Sequence, residues 1–353
     1  MPTNADKAIE SIANITTHTD RELLETSLMS ALFQLLELKR IALYTIIHEY
    51  GEKRCLLSSE VVEGEIIFHD PCSTSSQLTI DQVYGLAQCM EDNKPVFFDT
   101  ESQQIYLHPL TNRRGETICT FIITGFELEK NISGDLLANY FKVYHNYVSL
   151  LDDSERDTLT GLLNRRTFER NLDHILSKWQ HSADSPPDAN SCHPQRRLYS
   201  SRKKNWLAEI DIDFFKRIND DYGHLYGDEV LLLLANIMRD AFRSYDKLFR
   251  FGGEEFVVIL RSTDQAGAEM ALERFRAKVE DYNFPQIEQV TVSIGYVEIA
   301  NQDIPAAVLG HADEALYYAK ENGRNRVCFH QDLIKQGELK PSKVIPTADI
   351  ELF

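Results

Sequence analysis

Hydrophobic residues near the start of the chain recur at helical spacing, and the pattern then changes to short β-rich runs. Leucines repeat every three or four positions over residues 21–38, which predicts an amphipathic helix. A second helix is predicted over 81–90. Runs bounded by polar turns predict strands at 41–48, 54–58, 65–68, 95–98, 104–109 and 116–126. This order indicates an antiparallel α+β fold for residues 1–133.

A long apolar segment follows these strands. Residues 134–153 carry more apolar positions than one helical face needs, which predicts a connecting helix over 134–156. The surplus has two interpretations. Either the helix also packs against a second copy of the chain, which we favour, or both of its faces are buried within one subunit.

The periodic pattern stops between residues 180 and 204, where Ser, Pro, Asn, His and basic residues predict a long loop. The loop either contacts phosphate or forms a solvated mobile surface, and we favour the second interpretation. Its cations are Arg196, Arg197, Arg202, Lys203 and Lys204. We place a second domain at 157–331, around this loop, and a C-terminal tail at 332–353.

Composition limits the kinds of partner. A chain of 353 residues has room for two ordinary domains. The formal net charge of -18 disfavours a nucleic-acid polymer but leaves a small phosphate ligand open. No apolar run reaches the length of a membrane span, and the start lacks a signal-peptide pattern, so we expect a cytoplasmic protein without a membrane partner. Six scattered cysteines favour reduced thiols over a disulfide framework or a zinc site.

The stretch FGGEEFVVIL at 251–260 places two adjacent carboxylates between a pair of glycines and an apolar strand. Paired glycines readily adopt the positive φ of a tight hairpin, so a solvated turn is one interpretation. A metal site is the other. It requires further carboxylates from elsewhere in the chain.

A second run, WLAEIDI at 206–212, predicts a strand that ends in acidic residues, with Asp213 directly after it. If the hairpin strands lie beside this strand in one sheet, Glu254 at the hairpin tip sits next to Asp211. Two carboxylates and a backbone carbonyl suit Mg²⁺, which keeps its other positions for water and phosphates. The two motifs together favour a magnesium site.

Four motifs stand in order along the chain: DTLTGLLNRR at 157–166, DIDFFKRINDDYGHLYGD at 211–228, RFGGEEF at 250–256 and KENGRNRV at 320–327. From about residue 153 to about residue 330, they resemble the successive motifs of GGDEF domains, the diguanylate cyclases. The resemblance implies a central, mostly antiparallel sheet flanked by helices, as in nucleotidyl cyclase and polymerase palm domains. The element order of the first domain resembles a GAF domain, a sensory fold, and less closely a PAS domain.

The resemblance also implies an activity, the condensation of two GTP into cyclic di-GMP with release of pyrophosphate. Each domain would hold one GTP, so the enzyme would be a homodimer. Asp211, Glu254 and the carbonyl of Ile212 would hold Mg²⁺, with Mn²⁺ as an alternative. Glu255 would be an auxiliary catalytic carboxylate. The metal would neutralise the triphosphate and activate the 3′-hydroxyl of the facing GTP for attack on the α-phosphate.

Further residues would contact substrate or product. Asn219 and Asp228 would read guanine through its N–H and carbonyl groups. Lys320 and Arg324, taken to lie one helical turn apart, would bind the β- and γ-phosphates. Phe215 and Lys216 are also expected in the substrate site, and Lys216 and Asp213 are expected to support the metal loop. Arg243 and Asp246 form an R-x-x-D motif, at the place of an inhibitory product site in many family members.

One residue departs from the family pattern. Glu209 stands where an apolar strand residue is common, and it is either an extra acid near the metals or an outward-pointing side chain, which we favour. The rival to the cyclase is a GGDEF domain that has lost catalysis and acts as a receptor for GTP or cyclic di-GMP.

Overall fold

The computed structural model describes residues 21–49, 52–69, 76–101, 103–112, 115–125, 134–183, 204–287, 289–300 and 304–340. The chain divides into two compact units, Met1–Ser154 and Glu155–Phe353. Within the described ranges, no helix is both long enough and apolar enough to cross a membrane.

The first unit is built on an antiparallel sheet. Its helices are α1 (Arg21–Leu36), α2 (Leu86–Asp92) and α3 (Gly134–Glu155). Its strands are β1 (Arg40–Glu49), β2 (Glu52–Val62), β3 (Glu65–Phe68), β4 (Gln77–Thr79), β5 (Val96–Asp99), β6 (Gln104–Thr111) and β7 (Thr117–Thr124). They follow the order β3-β2-β1-β7-β6-β5, with β4 also paired to β2, and every pair is antiparallel.

The helix predicted over 81–90 is wrong in its first half. The chain forms a 3-10 turn at Ile80–Gln82, and α2 begins only at Leu86. Gly85 separates the two with a φ of 75°, and the ring of Phe98 occupies the place where a Cβ would stand. The left-handed backbone of Gly85 therefore prevents one continuous helix over 81–90, and α2 begins at the next residue.

The apolar positions of α3 are only partly buried within the first unit. Tyr140, Phe141 and Tyr144 are buried against α1 and the sheet. Val143 and Tyr147 are half-buried, and Leu150 is 66% exposed. The helix therefore carries a second apolar stripe beside its core-facing one.

The second unit has a central sheet with helices on both faces. Its helices are α4 (Arg165–Ala183), α5 (Phe215–Tyr222), α6 (His224–Ala241), α7 (Gln265–Glu280), α8 (Pro305–Glu321) and α9 (His330–Gln336). Its strands are β8 (Leu163–Asn164), β9 (Lys204–Ile212), β10 (Lys247–Arg250), β11 (Glu255–Thr263), β12 (Val292–Ile299) and β13 (Val327–Phe329). Their order is β13-β12-β9-β11-β10-β8. The outermost pairs are parallel and the three inner ones antiparallel, so the sheet is mostly antiparallel, as the family resemblance implied.

Strand β9 is the centre of this sheet, and its two faces have different roles. Ala208 and Ile210 pack with α6 and α7 in the larger core. Leu207 points the other way and packs with α4 and α8. Because side chains alternate along a strand, Glu209 and Asp211 share the face of Leu207. The acidic end of β9 therefore lies on the side of the sheet that α8 covers.

Both ends of the predicted loop at 180–204 belong to regular elements. Helix α4 continues to Ala183, and Lys204 opens β9 with its Nζ 2.7 Å from a carboxylate oxygen of Glu298. Arg196, Arg197, Arg202 and Lys203 lie outside the described residues. At the other end of the unit, α9 crosses the predicted start of the tail and buries Leu333.

Replacement of Gly295 by alanine should destabilise the second unit by about 1–3 kcal/mol, because helix α8 lies directly on this glycine of β12. A Cβ there would meet the backbone of Ala312, Ala315 and Leu316. Urea denaturation of Gly295→Ala measures the loss. Gly310→Ala is the matched control, since Gly310 lies in α8 with open space around it. It should be neutral or stabilising by about 0.5–1 kcal/mol, and equal losses in the two variants would contradict the packing argument.

Candidate active site

A group of carboxylates meets one ammonium at the end of β9. Asp211 faces Glu255 of β11 on one side and Ser293 of β12 on the other in the strand register. Lys320, in the last turn of α8, places its Nζ 2.8 Å from the Asp211 carboxylate. Strand β11 thus lies beside β9, as the sequence predicted, and Glu254 directly precedes it.

Burial and mutual repulsion make this group electrostatically unfavourable as it stands. Burial raises the pKa of Asp211, in opposition to Lys320, and Glu255 and Asp213 add to the rise. Burial also raises the pKa of Glu254, with a further contribution from Asp211. The ammonium of Lys320 opposes the rise at both carboxylates. A divalent cation would relieve the same repulsion.

The donor chemistry fits a magnesium ion. Hard carboxylate oxygens of Asp211 and Glu254 are available, and Ile212 at the end of β9 brings its backbone carbonyl to the same place in the chain. No group of three or more His, Cys, Asp or Glu side chains among the described residues is arranged to hold a metal by itself. A site with few protein ligands suits Mg²⁺, which retains several waters and binds substrate phosphates.

The hairpin does not use its glycines in the expected way. Neither Gly252 nor Gly253 adopts positive φ, so that part of the prediction is wrong. Gly252 instead leaves room for the Glu255 carboxylate, which would have to move if residue 252 carried a Cβ. Gly253 has open space around it, and its carbonyl accepts hydrogen bonds from Arg250, 2.8 Å from Nη2.

Glu209 does not point away from the site, in contrast to the interpretation we favoured. Its pKa is raised to about 8, chiefly by burial and also by the charges of Asp313 and Glu255, while Lys320 opposes the rise. The physical reason is the alternation of β9, which puts Glu209 on the face of Asp211. Glu209 is therefore an additional acid beside the carboxylate group.

The residues expected to recognise guanine lie on neighbouring helices. Asn219 is on α5 and Asp228 is on α6, and Gly227 brings them together because a Cβ there would overlap Oδ1 of Asn219. Asp228 and Lys216 are exposed. Phe215, expected in the substrate site, is instead a core residue that is 6% exposed and anchors α5.

The two expected phosphate-binding cations are not on one helix. Lys320 lies in α8, but α8 ends at Glu321, and Arg324 follows in a turn with a φ of 61°. The backbone N–H of Arg324 donates to the carbonyl of Ala319, which closes the helix end. Its guanidinium carbon lies 4.4 Å from the ring centroid of Phe214. The expected helical spacing is therefore wrong, although both cations are at the same end of α8.

The R-x-x-D motif forms a tight turn before β10. The carboxylate of Asp246 accepts hydrogen bonds from the backbone N–H of Arg243, at 3.0 Å, and of Arg261, at 3.2 Å. Burial raises the pKa of Asp246, and these hydrogen bonds oppose the rise. Arg243, Asp246 and Arg261 line a surface pocket together with Met270 and Arg274 of α7. The two motif residues thus lie together, with Asp246 already engaged by the backbone.

Two motif residues make supporting contacts with distant parts of the chain: Asp213, expected to support the metal loop, and Arg250, without an assigned role. Asp213 accepts hydrogen bonds from the Thr291 and Ser293 hydroxyls, both at 2.7 Å, and from the backbone N–H of Asn325 at 3.0 Å. Arg250, which contacts Gly253 in the hairpin, also lies 3.0 Å from the Asp157 carboxylate. A signal was present, since both polar residues stand inside the motifs quoted above, but their partners are distant in sequence.

The sheet with this acidic strand end and glutamate hairpin lies in the part of the chain that matches a known protein family. The family model described as "Diguanylate cyclase, GGDEF domain" matches residues 194–326. The second unit therefore contains a GGDEF domain.

Named relatives share this part of the chain. Diguanylate cyclase A of Treponema denticola is 46% identical over 213 residues, which cover 58% of this chain and 52% of that protein. The response regulator PleD of Caulobacter vibrioides is 40% identical over 177 residues, 48% of this chain and 35% of that protein. The structure of the coiled coil and GGDEF domain of DgcB from Caulobacter crescentus, in complex with c-di-GMP, aligns with a TM-score of 0.45 and 26% identity, and the alignment covers 55% of this chain and 95% of that chain. The chain thus spans about half the length of the Treponema protein and about a third of PleD.

Glu209 should make the free energy of unfolding fall with rising pH. Its pKa is about 8 in the fold against an ordinary 4.5, so the folded state retains a proton that the unfolded state has lost. Unfolding is then favoured progressively as pH rises through that interval, and the effect levels off above about 8. Urea denaturation in EDTA, compared between the parent and Glu209→Gln, should show a stability difference that grows in favour of the variant across this window. Parallel pH profiles would contradict the assignment.

Proposed function

We propose that this protein is a diguanylate cyclase that condenses two GTP into cyclic di-GMP and two pyrophosphates. The observation that carries the proposal is the meeting of Asp211, Glu254 and Lys320 at the end of β9, within a domain that matches the GGDEF family. Acidic ligands for a metal and a cation for phosphate stand side by side there, which is the minimum that phosphoryl transfer needs.

The bond changes are the same in both halves of the reaction. The 3′-hydroxyl of one GTP loses its proton to solvent and its oxygen bonds to the α-phosphorus of the other, while the bond from that phosphorus to the α–β bridging oxygen breaks and pyrophosphate leaves. Mg²⁺ or Mn²⁺, held by Asp211, Glu254 and the Ile212 carbonyl, would neutralise the triphosphate and acidify the attacking hydroxyl. Glu255, opposite Asp211 in the register, would act as an auxiliary carboxylate.

The protein's own cations orient the triphosphate. The ammonium of Lys320 pairs with Asp211, and it would turn to the β- and γ-phosphates where a metal binds the carboxylate. Arg324 would bind the same phosphates through its planar fork. The exposed ring of Phe214 beneath its guanidinium limits the directions available to it. Lys216, exposed on α5, would add a further positive charge near the substrate.

Selection of guanine would depend on the α5–α6 pair. Asp228 would accept hydrogen bonds from the two adjacent N–H groups of guanine, which adenine lacks. The Asn219 amide can both donate and accept, and its position against Gly227 fixes it near Asp228. GTP is therefore the proposed substrate in preference to ATP.

Two GTP molecules must face each other, so the working unit is proposed to be a homodimer. The partly exposed stripe Val143, Tyr147 and Leu150 on α3 is the feature of the first unit that favours self-association. We propose that the first unit is a GAF-like sensory and dimerisation domain, in keeping with its antiparallel sheet covered by helices. In this proposal the sensory domain covers residues 1–133 and the cyclase domain begins at residue 157.

Incubation of the purified protein with GTP and Mg²⁺ should yield cyclic di-GMP, detected by chromatography. Glu254→Ala should lower the rate by at least about 100-fold, because it removes a metal carboxylate from the reaction centre. Glu321→Ala is the matched control, an exposed glutamate of α8 outside the proposed machinery, and should retain the parent rate.

Two further results bear on the same assay. Specific activity should rise with protein concentration if the homodimer is the working unit. No product from the parent, after bound nucleotide is stripped away, would contradict the cyclase. Tight binding of cyclic di-GMP by such an inactive protein would favour the receptor alternative.

Product inhibition is proposed to act through Arg243 and Asp246. Arg243→Ala should raise the cyclic di-GMP concentration that halves the rate by about tenfold or more, because a charged fork to phosphate is lost. Initial rates at graded product concentrations measure this. Arg243 is the better target, since removal of Asp246 would leave the backbone N–H groups of Arg243 and Arg261 without their acceptor. Arg217→Ala, an exposed arginine on α5, is the control, and equal inhibition of all three proteins would contradict the site.

A further inference from the structure

The turn that carries Arg324 has an unusual backbone. Gly323, Arg324 and Asn325 all have positive φ, at 108°, 61° and 44°. Arginine and asparagine have a Cβ, so two such residues in succession are unfavourable unless their surroundings impose the conformation. The contacts that impose it therefore also fix the place of Arg324.

Asn325 supplies most of these contacts. Its Oδ1 accepts a hydrogen bond from Nη1 of Arg276 at 2.7 Å, and its Nδ2 donates to Oε1 of Glu280 at 2.8 Å. Its backbone N–H donates to Asp213 at 3.0 Å. Helix α7 thus holds the side chain of Asn325, and the end of β9 holds its backbone.

Arg276 is itself held in one position. Its guanidinium lies 2.6 Å from a carboxylate oxygen of Glu273 and 2.6 Å from one of Glu280, and its side chain is only 13% exposed. The hydrogen bond to Glu273, with that to Glu280, raises the pKa of Arg276, so it remains charged. A guanidinium fixed on two sides can direct its remaining N–H groups at a single acceptor.

The same hydrogen-bond network also positions Phe214, whose ring contacts the Arg324 guanidinium. Asp213 binds the N–H of Asn325, and Phe214, the next residue along the chain, carries the ring that lies 4.4 Å from the Arg324 guanidinium. Phe214 also has a positive φ, 58°. One hydrogen bond joins Asp213 to Asn325. Phe214 directly follows Asp213 and Arg324 directly precedes Asn325, so this bond brings the ring and the guanidinium together.

We propose that Arg276 and Asn325 are positioning residues that set the Arg324 guanidinium for the β- and γ-phosphates of the substrate. They act through the turn and do not touch the nucleotide. This inference rests on the proposed function, because it assumes that a nucleoside triphosphate occupies the site. It adds a role for helix α7, which carries none of the residues assigned to metal, guanine or phosphate.

The test uses Asn325→Gly, which keeps a residue suited to positive φ and removes only the side-chain contacts. The parent and the variant are titrated, in Mg²⁺, with 3′-deoxy-GTP, which cannot react, and with GMP, which lacks the β- and γ-phosphates. The variant should bind 3′-deoxy-GTP about tenfold more weakly and GMP within about twofold of the parent. In the activity assay, KM for GTP should rise by a similar factor with little change in kcat.

Arg276→Lys provides a second variant, because it keeps the charge but cannot contact Glu273, Glu280 and Asn325 together. It should show the same selective loss, and it decides the question if Asn325→Gly fails to fold. Asn322→Ala is the matched control, since the Asn322 amide bonds only the Tyr318 carbonyl at the exposed end of α8. It should bind both nucleotides like the parent.

The outcomes distinguish a failure of the positioning role from a failure of the proposed cyclase function. Unchanged 3′-deoxy-GTP affinity in folded variants, or an equal loss for GMP, would overturn the positioning role while parent activity leaves the cyclase intact. A parent that neither makes product nor binds 3′-deoxy-GTP would overturn the proposed function, and this inference with it.

Discussion

The ion pair between Asp211 and Lys320 is the interaction on which the site depends. It joins the central strand of the sheet to the last turn of α8, at 2.8 Å, in a place where the carboxylate is almost enclosed. Removal of the ammonium would leave a buried negative charge among other carboxylates, an arrangement that proteins avoid. Glu209, Glu254 and Glu255 all lie within its electrostatic reach, so the charge balance of the whole group involves one lysine.

Glycines fix the geometry around that pair by allowing close approach. Gly295 lets the backbone of α8 lie against β12, and so sets where Lys320 can stand. Gly252 gives room to the Glu255 carboxylate, and Gly227 gives room to Asn219. In each case an atom of the neighbouring residue occupies the space that a Cβ would need. The site is therefore assembled by packing as much as by charge.

Long-range hydrogen bonds then stabilise the segments that carry the charged groups. Arg250 connects the hairpin to Asp157 at the start of the unit, and Asp213 connects the end of β9 to the turn after α8. Burial would raise the pKa of Asp157, but hydrogen bonds from Thr160 and Arg250 outweigh burial and lower it. Its partners thus hold the Asp157 carboxylate ionised, in contrast to Asp211, whose pKa is raised chiefly by burial. Hydrogen bonds thus lower the pKa of the structural carboxylate Asp157, whereas burial raises the pKa of Asp211 and Glu254, and a bound cation would oppose that rise.

The sequence by itself determined the alternation of β9, the hairpin with its two glutamates, the order of the motifs and hence the family of the domain. These are local in the chain: a period of two residues or a run of fixed spacing already specifies them. Only the tertiary structure decided that Glu209 faces the site, that Phe215 is a core residue, and that Arg324 lies beyond the end of α8. It alone brought Arg276 to Asn325 and Asp157 to Arg250. Those facts depend on which helix covers which face of the sheet and on where a left-handed turn ends a helix, and contacts between residues far apart in sequence fix both.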